Sequence, residues 1–102
     1  MPFEIDTEIE GDTLRVALSG ELDMGTVPQF RDAVEDESAP WRTIAIDASD
    51  LAFMDSSGLQ ELVRLNNLAR ERQLELVLVR PSLPVVRLLE LTGLEQHFTV
   101  RD

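Results

Sequence analysis

A chain of 102 residues with 43% hydrophobic content is long enough for one domain, residues 1–102, burying roughly 65% of its unfolded surface around a modest core. Its formal net charge of −11 opposes binding to phosphodiester backbones, and the lack of cysteine removes disulfides, thiolate nucleophiles and Cys-bound metal. All nine basic residues are arginine, which excludes Schiff-base chemistry, a P-loop lysine and the lysine of a response-regulator receiver.

From Phe3 to Glu10 apolar and acidic residues alternate, as in a strand with one dry and one solvated face. Gly11-Asp12 fits a two-residue type II′ turn, and Leu14, Val16 and Leu18 carry the apolar face onto a second strand. Residues 20–25 break that pattern. Thr26 and Gln29 then have capping-box spacing, with Pro28 in the first turn, and predict a helix with Val27, Phe30, Ala33 and Val34 inward. Its acids Asp32, Glu35 and Asp36 are either tolerated surface charge or a patch for a basic partner, and Ser38-Ala39-Pro40 ends it.

Trp41 is expected to cover the end of the core, and residues 43–48, apolar on both alternations, read as a central strand covered on both faces. Asp47-Ala48-Ser49-Asp50 is expected to leave the sheet before Leu51, Ala52, Phe53 and Met54 return to the core. The main helix is predicted from about Ser57 to Arg72. Its inward face is Leu59, Leu62, Val63, Leu65 and Ala69, with Gln60, Glu61, Arg64, Asn67, Leu68 and Glu71 turned away. Residues 74–79 form the next buried strand. Ser82 and Pro84 open a third helix with Val85, Leu88, Leu89 and Leu91 inward, stopped at Thr92-Gly93-Leu94, and residues 98–100 make a final short strand. The order β-β-α-β-α-β-α-β implies an α/β fold with a mixed sheet and helices packed on it. Right-handed crossovers then bring the Asp23 loop and the Asp55-Ser56 turn to one end.

Two hydroxyls stand at the start of the main helix, where unpaired N–H groups and the macrodipole favour an anion. Ser57 and Gln60 have capping-box spacing, so Ser57 is assigned the cap and Asp55 assists by its charge. Ser56 is left over, an ordinary turn serine or a modified one, and we read it as a phosphorylation switch. A hydrolase would use Ser56 or Ser57 with His97 as base, but neither serine sits in a Gly-x-Ser-x-Gly elbow. Asp23, Asp47, Asp50 and Asp55 are candidate ligands for a hard cation, although Asp after a strand commonly forms turns and caps. The apolar runs are too short for a membrane span and the N-terminus lacks signal-peptide patterning, so a cytoplasmic location is expected.

Three blocks, Gly20-Glu21-Leu22-Asp23, then residues 50–59 around Asp55-Ser56-Ser57-Gly58, then Leu91-Thr92-Gly93-Leu94, resemble the bacterial anti-sigma factor antagonists of the STAS-domain family. The likeness extends over nearly the whole chain. It implies a STAS-like single domain acting as a non-enzymatic switch in transcription regulation, with no cofactor and no metal. In that family the serine matching Ser56 is phosphorylated by an anti-sigma factor that is also an ATP-dependent serine kinase. The unmodified protein binds that anti-sigma factor and so frees a sigma factor, and a PP2C-type phosphatase resets it. Carried onto this chain, the resemblance puts Asp23 beside the acceptor, frames it with Asp55 and Ser57, and lets the kinase backbone approach over Gly58. Met24, Thr26, Gln60 and Glu61 complete the implied partner surface. It also implies a monomer or weak dimer with neither nucleic-acid nor membrane partners; the alternative is a constitutive scaffold or transporter-accessory STAS domain without phosphoswitching.

Overall fold

The structure, a computed structural model, describes residues 2–34 and 41–102. β1 (Glu4–Glu10) and β2 (Thr13–Leu22) pair antiparallel across Gly11-Asp12, with φ +63° at Gly11 as a type II′ turn requires. From β2 onward each strand reaches its neighbour through a helix: α1 (Val27–Val34) leads to β3 (Thr43–Met54), α2 (Ser56–Glu71) to β4 (Glu75–Val79). Then α3 (Leu83–Thr92) and a 3₁₀ turn (Glu95–His97) lead to β5 (Thr99–Arg101). β2 to β5 are parallel and the sheet order is β1-β2-β3-β4-β5. This is the predicted element order.

Because every crossover steps in the same direction along the sheet, right-handed connections put all three helices on one face. Burial agrees. Leu14, Val16 and Leu18 of β2, Ile44, Ile46 and Ala48 of β3 and Leu76 and Leu78 of β4 share one core with Phe30, Leu62, Leu65 and Val85 from the helices. The expected covering of β3 on both faces is overturned. Thr43, Ala45 and Asp47 are only half-buried and line, with Arg15, Glu75 and Arg101, a trough on the helix-free face. Their small size mimics the composition of a doubly buried strand.

β3 also does not leave the sheet at Asp47. Its register with β2 slips between Ala17 and Ser19 and again between Gly20 and Glu21, so that β3 accommodates one extra residue at each place. Buried positions then pass from a spacing of two, at Ile44, Ile46 and Ala48, to a spacing of three, at Leu51 and Met54. Trp41 is half-buried against the core, as expected. Ala33 is exposed at the flank of the α1 stripe. Leu91 is 85% exposed, since it stands about 200° round α3 from buried Leu89. Gly93 stops α3 in the left-handed conformation, φ +72°. The acidic patch is described only at exposed Asp32; Glu35, Asp36 and the predicted stop at Ser38-Ala39-Pro40 lie outside the described residues.

Candidate functional site: the Asp23 loop and the Ser56 turn

α2 begins one residue earlier than its pattern suggested, and its cap is Asp55, not Ser57. Asp55 is extended, with φ −100° and ψ −174°, and its Oδ1 accepts the N–H groups of Ser57 at 2.9 Å and Gly58 at 3.1 Å. The Asp55 carboxylate makes charge-assisted cap bonds, and with two N–H groups on one oxygen it holds the position in place of Ser57. Ser57 is therefore inside the first turn and half-buried, while Ser56 is the first helical residue and exposed. The anion position expected at this helix end is thus already held in large part by Asp55. A phosphate on Ser56 would stand beside that carboxylate.

The loop after β2 is built by its own side chains. Asp23 Oδ1 accepts the N–H groups of Gly25 at 2.9 Å and Thr26 at 3.2 Å. The Thr26 hydroxyl donates to the Glu21 carbonyl at 2.8 Å and accepts from the Asp23 N–H at 2.9 Å. Thr26 is half-buried, so its polar group serves the loop rather than a partner, and Met24 is left 76% exposed at the tip. Thr26 also precedes α1 and takes the Phe30 N–H on its carbonyl.

Leu22 and Met54 pair at the ends of β2 and β3, so the loops that follow these parallel strands are neighbours. The Asp55 N–H donates to the Leu22 carbonyl at 3.3 Å. A β-carbon on Gly58 would lie 2.6 Å from that same oxygen and 2.8 Å from Met54 Cγ. Gly58 is buried, and its missing side chain admits β2 to the helix; this corrects the expectation that it serves the approach of a kinase backbone. Asp23, Met24, Asp55, Ser56 and Ser57 are brought together here, with Gln60 exposed one turn along α2.

Glu61, expected on the outward face, is 3% exposed. Arg31 of α1 donates to its carboxylate through Nη2 at 2.7 Å and Nε at 3.3 Å, and Arg64 through Nη2 at 2.6 Å and Nε at 3.0 Å. Burial pushes the Glu61 carboxyl up, but the hydrogen bonds and charges of Arg64 and Arg31 prevail and hold it below the ordinary carboxylate range. It is unavailable to a partner except through those arginines. The three side chains lie in a groove of about 570 Å³ between α1 and α2, whose other lining includes Met24, Val27, Ser57 and Gln60. The i,i+3 spacing of Glu61 and Arg64 was visible in the sequence, whereas Arg31, thirty residues away, was not. Asn66 was likewise missed: it is buried and donates to the His97 carbonyl at 2.9 Å.

That bond and a second from Arg70 fix His97 near the far half of α2. Asn66 is ten residues beyond Ser56, about 15 Å along the helix, so His97 does not stand as a base for either serine. Among the described residues no group of three or more His, Asp or Glu side chains is placed to hold a metal ion. Asp23 and Asp55 serve their turns, Asp50 is exposed, and Asp47 accepts from the Ser49 N–H and hydroxyl and pairs with Arg80. Burial raises the Asp47 carboxyl, and the bonds from Ser49 and the bond and charge of Arg80 together outweigh it and hold the carboxyl below its ordinary value. No described helix is long and apolar enough to cross a membrane.

The family described as Mlab, STAS domain matches residues 5–101. An anti-sigma-B factor antagonist from Listeria monocytogenes is 32% identical over 96 residues, covering 93% of this chain and 84% of the relative. An anti-sigma factor antagonist from Mycobacterium paratuberculosis superimposes with a TM-score of 0.81 at 26% identity, over 98% of this chain and 86% of that one. SpoIIAA, an anti-sigma factor antagonist solved in its unphosphorylated form, gives 0.76 at 25% identity over 97% and 87%. Its phosphorylated form gives 0.74 at 24% over 97% and 90%, a likeness of fold. With the match running through both loops of the site and all five strands, this chain belongs to the STAS-domain family.

Proposed function

We propose that this STAS domain is an anti-sigma factor antagonist that binds its anti-sigma factor through the Asp23 loop and the start of α2. The observation that carries the reading is Ser56: an exposed hydroxyl on the first helical residue, next to the Asp55 carboxylate and the tip of the Asp23 loop. The unmodified hydroxyl is small and neutral, and the surface around it is held rigid by the Asp55 cap and the Asp23 turn. Docking onto such a preorganised surface costs little ordering entropy.

In the same reading the anti-sigma factor is also a serine kinase, its phosphate goes onto Ser56, and a PP2C-type phosphatase removes it. The domain acts as a binding module in the cytoplasm and does no catalysis of its own. A phosphate adds about −1.5 to −2 charges at neutral pH. A like charge at ~4 Å costs roughly 4 kcal/mol at an effective dielectric of 20 and about 1 kcal/mol in bulk water. Asp55 supplies that charge, and a partner covering the turn would exclude the water that screens it. Since 1.4 kcal/mol is tenfold in affinity, a partly desolvated clash weakens docking by about a hundredfold. No change of fold is required, in keeping with the shared fold of the two SpoIIAA forms.

Calorimetric titration of the ATP-binding anti-sigma factor of the same organism with the Ser56→Ala and Ser56→Asp variants tests this. Ser56→Ala should bind like the unmodified chain and Ser56→Asp at least about tenfold more weakly. Equal binding by both variants contradicts the switch.

A further inference from the structure

We infer that the ion pair joining exposed Arg31 of α1 to buried Glu61 of α2 positions the Asp23 loop against Ser56, so that the pair acts on docking through the placement of that loop; this rests on the docking face proposed above. α1 is eight residues long, too short to be stable by itself, and it is attached to the core by Phe30 and Val34 with Val27 half-buried. Nonpolar contacts of that kind permit sliding and rotation. A guanidinium forked on a carboxylate does not, because two parallel N–H···O bonds fix direction as well as distance. Arg31 makes such a fork on Glu61, at 2.7 and 3.3 Å, and Glu61 lies one helical turn from Ser57.

The carboxylate is itself oriented from its own helix by Arg64, which approaches both oxygens. α1 is thereby tied to the first two turns of α2 at the groove that Met24, Ser57 and Gln60 also line. Since Thr26 immediately precedes α1, takes the Phe30 N–H on its carbonyl and closes the Asp23 turn, fixing α1 fixes the loop. The Glu61 carboxylate is buried while both arginines stay partly exposed; a buried carboxylate held in this way is commonly no more stabilising than an apolar side chain of similar volume, whereas the directionality of its hydrogen bonds has no apolar substitute.

Two variants test this by amide NMR and by affinity for the ATP-binding anti-sigma factor. Arg31→Met leaves Glu61 with Arg64, so the fold is kept while the tie between the helices is cut. Arg31→Met/Glu61→Leu/Arg64→Met replaces the whole cluster by apolar groups; should it fail to fold, Arg31→Met decides alone. The expected result is that the amides of Asp23, Gly25 and Ser56 shift or broaden while those of β4 and β5 hold. Affinity then falls about tenfold in a chain that melts normally. Unmoved amides at Asp23 and Ser56, or displaced amides with unchanged affinity, overturn the inference. If the wild-type chain itself does not bind, the proposed function falls, and the amide shifts still decide whether the pair positions the loop.

Discussion

Gly58 stands so close to Leu22 that a β-carbon on the glycine would meet the leucine carbonyl oxygen at 2.6 Å. The same oxygen accepts the Asp55 N–H, so the end of β2 and the start of α2 form one unit from which the Asp23 loop and Ser56 depart. Helix packing, not partner contact, sets the residue at this position.

Gly58→Ala should therefore destabilise the domain although alanine is the better helix former. The added methyl meets backbone on one side and Met54 on the other, and overpacking of this kind costs about 1–3 kcal/mol. For a domain of this size that lowers Tm by roughly 4–8 °C per kcal/mol, measured by calorimetry or circular dichroism. A variant melting at or above the wild-type temperature would show that α2 and β2 have slack between them.

Asp55 has two separable duties. Asp55→Ala removes the cap on the Ser57 and Gly58 N–H groups and should cost about 1 kcal/mol. Asp55→Asn keeps an acceptor there and should melt close to wild type. If Asp55 is the charge that opposes phosphate, Asp55→Asn should also narrow the affinity gap between Ser56→Ala and Ser56→Asp. An unchanged gap assigns the repulsion elsewhere.

Acid should weaken the fold through Glu61 and Asp47. Both carboxyls hold protons less readily in the folded chain than in the unfolded one, Glu61 because Arg64 and Arg31 outweigh its burial and Asp47 because Ser49 and Arg80 do the same. Their pairing is fully stabilising above the ordinary carboxylate range, about pH 4, and is lost as pH falls through the lower folded values. Melting curves between about pH 6 and pH 3 should thus fall less steeply for Glu61→Gln than for wild type. Parallel profiles would show that Glu61 contributes nothing to acid sensitivity.

Much of this was legible beforehand, for reasons that differ from element to element. Alternation in β1 and β2 and the 3.6-residue stripe of Leu59, Leu62, Leu65 and Ala69 exposed the elements, and their order fixed the topology, although the dry face expected of β1 is reduced to half-buried Ile5, with Ile9 61% exposed. The Ser56 turn was found because an apolar run meets a helical pattern there. What was hidden depended on distant partners. β3 was cut short because its bulges against β2 break the period, and its bare face was hidden because Thr43 and Ala45 suit either environment. Glu61 looks like any solvated acid until Arg31 is brought against it, and the cap at Asp55 competes with Ser57 on nearly equal sequence terms.

The central claim is tested most directly by incubating the chain with the ATP-binding anti-sigma factor and MgATP, mapping the phosphate, and titrating the modified protein back against the same partner. A single phosphate on Ser56, none on Ser56→Ala, and affinity lowered about a hundredfold by modification is the predicted result. Equal incorporation into Ser56→Ala, or a phosphorylated chain that binds as tightly as the unmodified one, would contradict it.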